Sequence, residues 1–344
     1  MMSKFKLITV LVIISILAVE VTAVAEEKTK EFYESWGVTS IQSLDITNKF
    51  GEIRVTDERT DSVTIEVTIT VEARDENKAD DLLEMLEVEF KKSGSTLYAV
   101  TKIENNFQSQ RKFSIDYVVN IPSDKNLKIS NKYGHTIVNK LTGNGDFDIQ
   151  YGNFNANSLT GESTKINLGY GNADVREASA VTAQVKYSPI SFGEIKELKL
   201  ESKYSDIEVE EGKVIQIESK YDKLRFEEVE SVTATTKYSH IRIEELAKSL
   251  NIEAGYGSVK VDEVNSTFES ISITNSYGQV SLGLEDNYSV DASCQYCGVS
   301  YPENDFSGDR IKENNTQTIK GKVGSGSGGK VYVRSRYGEI NLRN

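Results

Sequence analysis

Residues 186–193 read KYSPISFG, 203–210 KYSDIEVE, 220–227 KYDKLRFE and 237–244 KYSHIRIE, one pattern repeated every 17 residues. Lys186, Lys203, Lys220 and Lys237 each precede a Tyr (Tyr187, Tyr204, Tyr221, Tyr238), and Tyr256 follows after 18 residues. Apolar residues stand three and five places after each Tyr: Ile190/Phe192, Ile207/Val209, Leu224/Phe226, Ile241/Ile243 and Val259/Val261. A period of about 20 residues held over many units marks stacked repeats, in which each unit buries its apolar slots only against its neighbours.

The same frame extends in both directions. Tyr133, Tyr151, Tyr170, Tyr277 and Tyr296 continue the series at spacings of 17 to 21 residues. Six and four places before the Tyr come further apolar pairs, such as Leu127/Ile129, Leu198/Leu200, Ile215/Ile217 and Leu250/Ile252. Alternation puts these slots, and the Tyr itself, on one face of a strand, which predicts an inward or corner ring packed on its neighbours. The odd step from the Tyr to the next apolar slot requires a corner, supplied by the Gly or Ser that usually follows it. Two short strands and tight turns per unit make an all-β, right-handed parallel β-solenoid, or β-helix, of about 11–12 short coils.

At the N-terminus, Lys4 and Lys6, the apolar run Leu7–Val19 and Ala23-Val24-Ala25 compose a secretory signal peptide over 1–25. An uncleaved anchor is the alternative, although the run is short for a membrane span. No later stretch reaches spanning length, so the mature chain carries no membrane span and is expected in the periplasm, at the cell surface or outside. The formal net charge of −13, without a basic patch interleaved with aromatics, argues against nucleic acid as a partner. Two Cys exclude a disulfide-dense scaffold.

Residues 26–125 read as a first coil followed by a capping insertion. Leu44, Ile46, Phe50, Ile53 and Val55 fill the repeat slots, with Phe50 in the Tyr position. Val63, Ile65, Val67, Ile69 and Val71 then alternate as a strand, and Ala79, Leu82, Leu83 and Leu86 fall at helical spacing. This strand-helix-strand unit is the expected cap for an otherwise open edge. Repeats occupy 126–301, residues 302–330 with their run Gly324–Gly329 read as a flexible insertion, and 331–344 as a terminal, closing coil.

The early NKFGEIRV (48–55), the closing SRYGEINL (335–342), the signal peptide and the strand-helix-strand insertion together resemble the bacterial putative-adhesin family. The resemblance runs from about Ser43 to Leu342 and implies an exported β-strand-repeat domain of unknown function in the cell envelope. Its motifs are structural, so no functional residue carries over.

Candidate sites are few. Glu210, Glu211, Glu227, Glu228, Glu244, Glu245, Asp262 and Glu263 recur at the same slots on four coils, a weak Ca²⁺ candidate against a solvated edge. His135 and His240 share a slot six coils apart, too far to share a metal, and read as surface residues. Cys294 and Cys297 lack the context of a redox or zinc motif; across a sharp corner they could form a local disulfide. Stacked Tyr rings could bind a glycan or a base, or simply pack. With no catalytic or cofactor constellation, the expected function is a non-enzymatic envelope interaction or structural module whose partner is an unidentified envelope protein or glycan. The alternatives are a carbohydrate-active parallel β-helix enzyme and a stress-response structural protein. Glu303, Asp305, Asp309 and Arg310 of the insertion are the one place to seek the enzyme's carboxylates.

Overall fold

The structure, a computed structural model, describes residues 26–58, 61–285 and 287–343. The expected signal peptide lies outside these residues. Among them, no helix is long and apolar enough to cross a membrane.

The chain forms a β-solenoid of stacked parallel coils. From Asn126 onward each coil contributes one strand before its Tyr and one after it, paired in register with the coils on either side. Ile207, Leu224, Ile241 and Val259 line up on the strand after the Tyr. Ile215, Val232, Leu250 and Ile271 line up on the strand before it. Because like residues stack on like, the expected inward slots are closed from water: Phe192, Phe226, Ile243 and Leu282 are at most 1% exposed. Each such side chain contributes about 1.5–3 kcal/mol, which no coil could obtain without its neighbours.

The Tyr residues do not follow the strand parity. Phe50, Tyr133, Tyr151, Tyr170, Tyr187, Tyr204, Tyr221, Tyr238, Tyr256, Tyr296 and Tyr337 have φ between +53° and +67°. A single left-handed residue breaks the alternation and swings outward a side chain that a continuous strand would turn inward. Of the expected inward or corner placements, the inward one is thus corrected: the tyrosines stand at the corners, and the eleven column rings are 42–52% exposed. Tyr277 is the one exception in backbone, its corner being made by Gly278 at φ +151°. Glycine after the Tyr is a matter of space. A Cβ on Gly152 would sit 1.9 Å from the Gly134 carbonyl oxygen of the preceding coil.

The first coil consists of β1's successors in the chain, and the cap encloses it. Strand β1 (Glu26–Gly37) leads to β2 (Ser43–Lys49) and β3 (Ile53–Thr56), then β4 (Ser62–Ala73), α1 (Glu76–Glu84), β5 (Leu86–Ser93), β6 (Thr96–Ile103) and β7 (Phe113–Asn120). Strand β2 lies between β6 and the first array strand Asn126–Lys132, and β3 between β7 and Thr136–Leu141. Antiparallel β4 and β1 then extend the sheet from β7, and β5 pairs with β6. Helix α1 is capped by Asp75, whose carboxylate accepts from the Lys78 amide. Lys28 of β1 reaches α1 through Glu76 and Asp80.

The other end departs from expectation twice. The terminal unit does not close the rod. Lys330–Arg336 lies between Ser270–Asn275 and Tyr288–Gln295, parallel to both, so the last segment supplies the penultimate coil. In chain order Tyr288–Gln295 comes first, yet Lys330–Arg336 lies inside it, where Val331 and Val333 are buried between two coils. The segment 302–330, expected to be flexible, carries an antiparallel hairpin, Phe306–Glu313 with Thr316–Val323. The second hairpin strand pairs antiparallel with Tyr288–Gln295 and covers the edge that the last coil would otherwise expose.

Candidate functional site

The corners gather one aromatic ring per coil into a column. In spatial order it runs Phe50, Tyr133, Tyr151, Tyr170, Tyr187, Tyr204, Tyr221, Tyr238, Tyr256, Tyr277, Tyr337 and Tyr296, with neighbouring centroids 4.5–5.1 Å apart and planes within 20°. Phe113 closes the column against Phe50. Such contacts contribute about 0.5–1.5 kcal/mol each. That is comparable with the roughly 1–2 kcal/mol that a left-handed L-residue costs, so the stack offsets its own backbone strain. Ring faces are consumed by neighbouring rings. What remains for solvent is a continuous ridge of ring edges and hydroxyls.

Beneath the ridge, short polar side chains staple the two sides of several corners. Asp222 is buried and accepts from the Ser202 and Ser219 hydroxyls (both 2.7 Å) and from the Ser205 and Lys220 amides (2.8 and 3.1 Å). Its own amide donates to Ser239 Oγ. Four donors satisfy a carboxylate that makes no ion pair among the described residues, a role the sequence pattern concealed because Gly or Ser fills that slot in most other coils. In the coil of Tyr296 the same two slots hold Cys294 and Cys297. There a disulfide replaces the hydrogen-bonded staple, with Cα atoms 5.3 Å apart.

Charged columns flank the ridge. Lys186, Lys203, Lys220 and Lys237 stand in register immediately before their tyrosines. At the neighbouring corner Glu177, Glu194, Glu211, Glu228, Glu245 and Glu263 stand directly opposite one another on six successive coils. Glu177 and Glu194 extend the acidic column beyond Glu210–Glu263, and their equal offset from Tyr170 and Tyr187 was the signal. This column borders an open groove of about 400 Å³, which Ile195, Gly212, Val229, Leu246, Lys196 and Lys213 also line. Asp262 is held by Arg242 (3.0 Å) and Lys260 (2.5 Å), and Glu244 lies 3.9 Å from Arg242. Among the described residues, no three His, Cys, Asp or Glu side chains converge as a metal site.

The remaining candidates do not come together. His135 Nδ1 accepts from the Asn153 amide, and His240 Nδ1 bonds Ser258 Oγ (2.9 Å); each exposed ring ties its coil to the next. In the insertion, Arg310 lies over Phe306 (4.6 Å) and donates to the Tyr301 hydroxyl and the Glu303 and Phe306 carbonyls. Its guanidinium is committed to holding the hairpin. Tyr117 is buried in the cap and bonded to Thr101 (2.7 Å), and burial pushes its phenol pKa up.

Two solved structures are similar over most of their length. A "putative adhesin" from Bacteroides fragilis is 12% identical, covering 91% of this chain and 97% of the other with a TM-score of 0.27. A "putative adhesin" from Parabacteroides distasonis is 14% identical, covering 74% and 93% with a TM-score of 0.30. At those scores neither superposes well enough to compare sites. No curated protein matches the chain. The repeat frame, the cap and the returning last coil all fall within residues 41–343, which match the Toastrack DUF4097 family model, and the chain belongs to that family.

Proposed function

We propose that this chain is an exported, non-enzymatic β-solenoid that serves as an adhesin-like or structural interaction module of a bacterial envelope. The observation that supports this reading is the aromatic ridge. Twelve stacked rings form a solvent-facing strip along the rod, and continuous exposed strips of this kind mark interaction surfaces. Since interior rings have both faces occupied, a sugar or a base cannot stack on them. A partner would meet ring edges, hydroxyls and the adjacent lysines, which favours an elongated envelope protein or glycan lying along the rod.

The test is binding of the mature chain to envelope fractions and to a glycan array. Wild type is compared with Tyr→Phe at 187, 204, 221 and 238, which keeps the stack and removes hydroxyls, and with Lys→Gln at 186, 203, 220 and 237. Reversal of the Glu210–Glu263 column serves as the third arm. A loss of tenfold or more in the Tyr or Lys set would support the ridge as the binding face. Undiminished binding in both sets, or no ligand in any format, would sink it.

A further inference from the structure

Among the described residues, two columns of this rod hold one sign over four coils without an ion pair. Several outward charges of this rod pair between neighbouring coils. Asp206 meets Lys223, Glu208 meets Arg225, Glu230 meets Lys248 and Arg242 meets Asp262, each pair joining neighbouring coils. Lys186, Lys203, Lys220 and Lys237 do the opposite: one sign, four coils in succession, all exposed. Glu194, Glu211, Glu228 and Glu245 do the same with the other sign on the same four coils. Among the described residues, none of these eight side chains makes an ion pair. Lys196 and Lys213 line the same groove without an ion pair to the acidic column.

Like charges directly opposite one another on adjacent strands repel. Both columns therefore carry repulsion that the flanking Glu201 and Glu218, and Lys196 and Lys213, meet without an ion pair, and an opposite column at matching spacing would relieve it. A solenoid has one rise, so the basic and acidic columns share it: ring centroids beside the lysines repeat at 4.9–5.0 Å. A disordered polycation or polyanion would have to be ordered to match four such charges, whereas a second copy of this rod presents them already aligned. Glu194 is eight residues beyond Lys186 in a coil of 17, at the next corner after the Tyr, so the two columns lie on different edges.

We infer that copies of this chain associate side by side, the Lys186–Lys237 column of one rod against the Glu194–Glu245 column of the next. With the two surfaces on different edges, the contact is heterologous and does not close into a dimer; it continues into an open lateral row. The association is weak, since exposed ion pairs contribute little individually, and it is selective for the unpaired stretch from Lys186 to Glu245. The aromatic ridge runs beside this contact, so lateral packing sets neighbouring ridges alongside one another.

The experiment uses purified mature chain with no other partner, so it succeeds or fails independently of any envelope ligand. Sedimentation velocity is measured across a hundredfold concentration range for wild type, for Lys→Glu at 186, 203, 220 and 237 (the acidic variant), and for Glu→Lys at 194, 211, 228 and 245 (the basic variant). Unchanged circular dichroism and urea midpoints within each variant confirm the fold. Wild type is expected to show a weight-average mass rising with concentration beyond twice the monomer, without a plateau. Each variant alone is expected to stay monomeric, and their equimolar mixture to regain at least the wild-type rise. A wild type monomeric throughout, a plateau at a closed dimer, or a mixture that stays monomeric would overturn the proposal.

Discussion

Tyr221 offers a sharp test of why an aromatic residue sits in a left-handed corner. Its ring lies between Tyr204 and Tyr238, 4.9 Å from each and within 3° of parallel, at φ +61°. Truncation to Ala removes two stacking contacts, about 1–3 kcal/mol in all, and keeps the strained backbone. Truncation to Gly loses the same contacts but relaxes the left-handed residue, returning about 1–2 kcal/mol less the entropy that Gly adds to the unfolded chain. Tyr221→Gly is therefore expected to be less destabilising than Tyr221→Ala by about 1 kcal/mol, although Gly is the worse residue in an ordinary strand. Equilibrium urea unfolding followed by circular dichroism measures the difference. The m-value must be checked, because repeat arrays can lose cooperativity when one interface weakens. If Ala proves equal to or better than Gly, the corner is not strained and the ladder does not offset anything.

Tyr117→Phe should flatten the alkaline side of the stability profile. Burial raises the folded-state pKa of this phenol above its unfolded value, so its contribution is full below about pH 10 and is lost as pH rises beyond. Wild-type urea midpoints measured from pH 8 upward should fall more steeply than those of the variant. Gly152→Ala should cost about 2–4 kcal/mol, because its Cβ would meet the Gly134 carbonyl at 1.9 Å and neighbouring coils would have to separate; thermal melting reads this directly. Replacing both Cys294 and Cys297 by Ser should destabilise the C-terminal coils by about 2 kcal/mol, the closure of a very short loop. A reductant should lower the wild-type midpoint toward that of the variant and leave the variant unmoved.

Much of this molecule could be read along the chain. The inward slots from Leu127 to Leu282 were legible because a solenoid stacks equivalent residues, so burial repeats with the sequence period. The first coil was legible for the same reason despite the insertion that follows it, and Ala79, Leu82 and Leu83 marked the cap helix by their spacing. The two charged columns were visible as residue types at fixed offsets. That they stay unpaired while their neighbours pair was not, since ion pairing depends on side-chain reach between coils.

What the sequence determined by itself is the repeat: its period, its buried slots, its aromatic and charged columns, and hence a β-solenoid. Three things were decided only in the tertiary structure. The tyrosines point outward because one backbone torsion per coil is left-handed, and strand parity is blind to the sign of φ. The last segment lies between two earlier coils because parallel strands seek two neighbours, and chain order does not dictate spatial order. The stretch 302–330 is ordered because the end of the sheet needs a partner strand. Each is a consequence of contacts between residues far apart in the chain, which a local pattern does not encode.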